Sequence, residues 1–140
     1  MSVWLLDTGP LVAFFDKSDR RHQWTVQQWR RAVWPLLTCE AVIAEAAYLL
    51  ATHAGLPPHR LMAMLERKAI STSFDLAEHA GPVARLLEKY HDQGMQLADA
   101  CLVRMSELHA DCCVFTLDAR DFTVYRRFER QVIPLLAPEP

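Results

Sequence analysis

Val3, Trp4, Leu5 and Leu6 form an unbroken apolar run that stops at Asp7, with Thr8-Gly9-Pro10 following as a turn signal. So short a run, without polar alternation, predicts a strand buried on both faces, as in a parallel sheet covered by helices. An acid directly after such a strand has two readings. It caps the next helix, or it joins the ligand-binding groups that gather outside the carboxyl ends of strands in open α/β sheets. The pattern returns late in the chain: Cys113-Val114-Phe115-Thr116-Leu117 is again apolar and β-rich, and it closes on Asp118.

Between these strands the signals alternate. Leu11 to Phe15 predicts a short apolar helix, and Ser18 is the expected cap of a longer one reaching Val33. Phe14, Phe15, Trp24 and Trp29 on these helices suit either core packing or a partner groove. Trp34-Pro35-Leu36-Leu37 predicts a second strand with Pro35 at its entry, where a missing N–H is tolerated. Thr38 is the expected N-cap of a helix ending near His53. Val42, Ala46 and Leu49 mark its inward stripe, and Glu45 falls on the same stripe. A carboxylate there needs a partner or a route to the rim.

Gly55-Leu56-Pro57-Pro58 is a break, followed by a helix from His59 to Ala69 with Leu61, Met62 and Leu65 inward. Ile70 to Phe74 is extended. Asp75 and Glu78 resemble a capping box for a helix that reaches His91 and bends at Pro82. After the Asp92-Gln93-Gly94 loop, Leu97 opens a helix through Leu108, with Asp99 in a first turn where the helix dipole favours an acid. Ala119 to Phe122 reads as a turn, Arg126, Arg127 and Arg130 as a short basic helix, and Gln131 to Leu136 as a last strand placed at a sheet edge by Pro134. The alternation predicts an α/β fold: a three-layer α/β/α arrangement with a central, mostly parallel sheet, in a single domain spanning residues 1–140.

Composition narrows the chemistry. No apolar run approaches a membrane span, and no basic leader precedes the first strand, so a cytoplasmic protein is expected. The four cysteines offer neither CxxC nor zinc-ligand spacing, which predicts buried thiols in a reducing compartment. A net charge of −2 excludes a general polyanion binder, although Arg outnumbers Lys twelve to three. There is no GxSxG elbow, no phosphate-binding GxxxxGKS loop, no GxGxxG and no HExxH, and the six histidines are scattered.

What remains is a set of acids. Asp7 and Asp118 belong at the carboxyl edge of the sheet. Asp99 opens the helix before the Asp118 strand, which brings it to that edge, and Glu45 lies nearly two turns into a helix that starts there. The topology allows all four to meet. Carboxylates brought together repel and raise one another's pKa values, and a hard divalent cation with a preference for oxygen ligands resolves the repulsion.

These residues carry a family resemblance. The Asp7-Thr8 strand end, Glu45 in the second long helix, Leu97-Ala98-Asp99-Ala100, and Thr116-Leu117-Asp118 followed by Asp121-Phe122 resemble a PIN domain, and a chain of this length resembles the VapC-type toxin ribonucleases. The resemblance implies a Mg²⁺- or Mn²⁺-dependent ribonuclease, commonly a homodimer and commonly silenced by a cognate antitoxin. It assigns Asp7, Glu45, Asp99 and Asp118 as the catalytic and metal-binding quartet, with Asp7 and Asp99 as direct ligands. Thr8, Thr116 and Asp121 support them, and Asp121 competes with Asp118 for the fourth place. Arg120 and Arg126 are the candidate RNA contacts. Two alternatives stand beside this reading: a PIN-domain nuclease without an antitoxin, and a PIN-like binding module without catalysis. An aspartyl-phosphate enzyme using Asp7 is disfavoured, since no second Asp follows two residues later and no Lys lies near the last strand.

Overall fold

The computed structural model describes residues 2–140. Its centre is a five-stranded sheet in the order β3-β2-β1-β4-β7. The strands are β1 (Val3–Leu6), β2 (Leu36–Leu37), β3 (Ile70–Ser71), β4 (Cys112–Phe115) and β7 (Leu135–Leu136), and every pairing is parallel. Helices flank the sheet, as the alternation predicts: α1 (Thr8–Phe15), α2 (His22–Trp29), α3 (Glu40–His53), α4 (His59–Glu66), α5 (Ala80–Lys89), α6 (Leu97–Leu108) and α7 (Ala119–Val124). Among the described residues no helix is long and apolar enough to cross a membrane. All four cysteines are free thiols, and Cys39, Cys101 and Cys112 are buried.

Strand order determines where a site can lie. From β1 the chain builds outward to β2 and β3, then returns to the other side of β1 with β4 and β7. The order therefore reverses between β1 and β4, and the crevice outside their carboxyl ends is the switch point at which open α/β sheets bind ligands. β1 and β4 are in register from Val3↔Cys112 to Leu6↔Phe115. Asp7 and Thr116 thus leave the sheet side by side.

The core beneath that edge is aromatic. Phe115 is fully buried and receives Trp4 edge-on at 5.5 Å and Trp29 at 6.0 Å between ring centroids. Phe14 stacks on Trp29 at 4.2 Å. Trp29 is therefore a core residue, with the half-buried Phe14 packed against it.

Several local expectations are corrected. The first helix starts at Thr8 rather than Leu11, because Pro10 occupies the third helical position, where an N–H has no intrahelical partner to lose. Ser18 caps nothing: its hydroxyl and amide both donate to Asp16 Oδ1 in a tight turn, and α2 begins later, at His22. Thr38 is not the N-cap of α3. Cys39 holds that position, while the Thr38 hydroxyl donates to the Leu6 carbonyl at 2.6 Å. On α3 the buried stripe is Val42, Ile43, Ala46 and Leu50, which leaves Glu45 exposed.

On α4, Met64 is buried and Met62 exposed, so the inward face is rotated from the expected one. Pro82 does not bend α5. It lies in the first turn, after a separate 3₁₀ turn at Ala77–His79. Finally, no basic helix forms at residues 126–130. Arg126–Arg127 is β5, paired antiparallel with β6 (Gln131–Val132), and the expected last strand is split between β6 and the edge strand β7.

Candidate active site

Asp7 follows β1, caps the next helix and lines the cavity outside the carboxyl edge of the sheet. As N-cap of α1 it accepts from the Thr8 amide on Oδ1 at 2.8 Å, and its Oδ2 accepts from the Thr116 hydroxyl at 2.7 Å. It is only 7% exposed. Burial pushes its pKa up to about 6, assisted by the charges of Asp99 and Glu45 and opposed by the bonds from Thr116 and Thr8.

Thr116 ties two acids together. While donating to Asp7, its oxygen accepts from the Asp118 amide at 2.8 Å. Asp118 does not end the strand, since β4 stops at Phe115; it is the N-cap of α7 and accepts from the Asp121 amide at 3.3 Å. Thr116→Val should cost about 1–3 kcal/mol, because it leaves a buried carboxylate short of its donor, whereas Thr116→Ser should retain most of that stability. Urea unfolding of the two variants checks this.

Asp99 is the third residue of α6 and forms a capping box with Gln96, whose amide donates to Asp99 Oδ2 at 3.1 Å. The hydroxyl of Tyr125 reaches the same oxygen at 3.4 Å. Burial raises the Asp99 pKa, with the Asp118 charge adding to it, against these two hydrogen bonds. Glu45 reaches the site through its Oε2, which accepts from the Thr8 hydroxyl at 3.3 Å. Burial also raises the Asp121 pKa, followed by its contact with Asp118 and that group's charge, while Arg120 pulls it down.

All these acids line one cavity of about 680 Å³, bounded by Asp7, Glu45, Asp99, Asp118 and Asp121, together with Asp19. Asp19 was missed by the sequence reading; it sits in the α1–α2 turn, where its carboxylate also accepts from the Arg21 amide at 2.8 Å. Among the described residues no basic side chain lines the cavity, so its field has a single sign and concentrates cations. Gly9 lies on its wall, and a Cβ there would come within 3.1 Å of Leu117 Cβ, so glycine permits the close approach of α1 to the segment after β4.

The two arginines are placed differently. Arg120 is exposed in the first turn of α7, close enough to act on Asp121. Arg126 is turned back, donating from one guanidinium nitrogen to the carbonyls of Thr123 at 2.6 Å and Tyr125 at 3.0 Å.

A parallel α/β domain with a cavity of carboxylates at its switch point is the class that fold and site define. The chain belongs to the PIN domain family, whose sequence profile matches residues 4–127. It is similar to Ribonuclease VapC26 of Mycobacterium tuberculosis, with 29% identity over 126 residues that cover 87% of this chain and 91% of that protein. The crystal structure of Mycobacterium tuberculosis VapC20, a sarcin-ricin loop cleaving toxin, shares the fold: the TM-score is 0.70 at 16% identity, covering 79% of this chain and 86% of VapC20.

The donor set fits a hard divalent cation in kind, being entirely carboxylate oxygen, with Asp7 pushed up in pKa partly by its acidic neighbours. Among the described residues no three His, Cys, Asp or Glu side chains are already drawn around a single metal position. The acids share the cavity without forming a closed ligand set.

Proposed function

We propose that this chain is a Mg²⁺- or Mn²⁺-dependent endoribonuclease that hydrolyses RNA phosphodiester bonds, acting as a cytoplasmic homodimer and as the toxin of a type II toxin–antitoxin pair. The observation that carries this is the common cavity of Asp7, Glu45, Asp99 and Asp118 at the switch point of the sheet. The similarity to VapC26 supports the ribonuclease reading, and the fold shared with VapC20 supports the architecture; the toxin role, pairing with an antitoxin and dimerisation follow from the family resemblance.

In this reading Asp7 and Asp99 hold the cation, with Glu45 and Asp118 completing the set and Asp121 beside them. Bound there, the ion would supply a lowered pKa to an attacking water and charge neutralisation at the scissile phosphate. The chain's own contribution is orientation. Thr8 and Thr116 hold Asp7 by both oxygens, and Thr8 also reaches Glu45. Arg120, exposed at the rim, contacts the flanking phosphate backbone and offsets the repulsion between an acidic cavity and a polyanion. Arg126, in β5, would have to release the carbonyls of Thr123 and Tyr125 to contribute to RNA binding.

The test is cleavage of end-labelled RNA by the purified protein. Cleavage should require Mg²⁺ or Mn²⁺, stop in EDTA, and be lost in Asp99→Asn while the circular dichroism spectrum is retained. Cleavage that persists in EDTA or in Asp99→Asn contradicts the assignment.

A further inference from the structure

Tyr125 stands outside the acid quartet and its supporting threonines, yet it touches the site. Its side chain is 1% exposed, in a pocket of rings: Tyr90 meets it edge-on at 5.1 Å and Phe122 at 5.4 Å. The next residue is pinned as well, since the Arg126 amide donates to the Tyr90 hydroxyl at 2.9 Å. Packing therefore sets the position of the Tyr125 hydroxyl, and its hydrogen-bond partner among the described residues is Asp99 Oδ2. The Gln96 amide donates to the same oxygen, and among the described residues no hydrogen bond falls on Asp99 Oδ1. The segment between Asp118 and Tyr125 thus braces two acids at once: its first residue caps α7 and faces the cavity, and its last reaches across to α6.

We infer that Tyr125 is a positioning residue for the cation site: its hydroxyl, with the Gln96 amide, holds Asp99 by Oδ2 so that Oδ1 is the oxygen presented to a divalent cation. Partners that orient a carboxylate ligand in this way commonly account for about 10–100-fold in metal affinity. The inference rests on the cation-dependent reading of the cavity given above. Its own content is that a buried phenol, supplied by the segment following α7, controls the geometry of an acid on α6.

The experiment is calorimetric titration of Mn²⁺ into the wild-type protein, Tyr125→Phe and Tyr125→Leu, with unfolding midpoints measured in EDTA. Phe keeps the ring and loses only the oxygen; Leu loses both. Both variants should bind Mn²⁺ about tenfold or more weakly and by similar factors, while the EDTA midpoint falls clearly only for Tyr125→Leu. Wild-type affinity in Tyr125→Phe overturns the inference and leaves the cation reading standing, as does an affinity loss confined to Tyr125→Leu. A wild-type protein that binds neither Mn²⁺ nor Mg²⁺ overturns both.

Discussion

Asp7→Asn should destroy RNA cleavage and, in chelator at neutral pH, make the protein more stable. The two effects share one cause. Asp7 is 7% exposed and its pKa stands at about 6, so at neutral pH the folded chain carries a buried charge that folding disfavours. Asn is nearly the same shape, caps a helix as well as Asp does, and can still accept from the Thr8 amide. Loss of the negative charge removes the desolvation cost and the repulsion from Asp99 and Glu45. A displacement of roughly two pKa units bounds the gain at about 3 kcal/mol. Reorganisation around Thr116 reduces it, and about 1–2 kcal/mol should remain, worth several degrees in unfolding midpoint. Cleavage should fall by more than about a hundredfold, since even residues that merely orient metal ligands cost up to that much. Sites built for chemistry trade stability in this way. Destabilisation of Asp7→Asn in EDTA would make Asp7 a structural cap whose charge the fold needs, and the proposed function would lose its central residue.

How much of this was legible in the residues differs from acid to acid. Asp7 was readable because the run before it is apolar at every position, short and closed by a turn signal, as a strand buried on both faces is, and β1 is that strand. Asp99 followed from topology, since a helix that precedes a parallel strand must begin at that strand's carboxyl edge. Glu45 was placed on the core stripe because it lies at helical spacing from Val42 and Leu49. The burial face is centred on Val42, Ala46 and Leu50 instead, and a rotation of that size is within the tolerance of a 3.6-residue period.

Asp118 was assigned to a strand end because Thr116 and Leu117 continue the β-rich run. The sheet decides otherwise: β7 pairs with β4 only at Val114 and Phe115, so the ladder stops there. The β5–β6 hairpin was invisible because each strand is two residues long, too short for any alternation to show, and Phe128 and Glu129 in its turn adopt positive φ without glycine. Tyr125 was illegible for a stronger reason. Nothing local in Val124-Tyr125-Arg126 points to an acid 26 residues earlier, and the contact exists only once α6 and the segment after α7 have packed.

In EDTA the wild-type protein should lose stability as the pH rises from about 4 to about 7, opposite to the usual behaviour of paired carboxylates. The sign follows from Asp7. Its folded pKa of about 6 lies above the 3.8 of the free side chain, so the proton is held more tightly in the folded state. The associated stability is fully present below 3.8 and is lost as the pH rises through about 6. Asp99 shifts in the same direction, through burial and the charge of Asp118, and reinforces the trend. Asp16 shifts the other way, held down by Ser18, but it lies in an exposed turn where solvent screening makes its effect small. The summed loss should reach roughly 2–3 kcal/mol across this window. A saturating divalent cation should reverse the slope, because it binds the deprotonated acids and stabilises the folded state increasingly as they ionise. Urea unfolding at about pH 4.5, 6 and 7.5, in EDTA and in Mn²⁺, separates the cases, with Asp7→Asn showing a flattened profile in EDTA. Wild-type and Asp7→Asn profiles that run parallel in EDTA would mean that Asp7 ionises as freely folded as unfolded, and the buried charge on which the site is built would not exist.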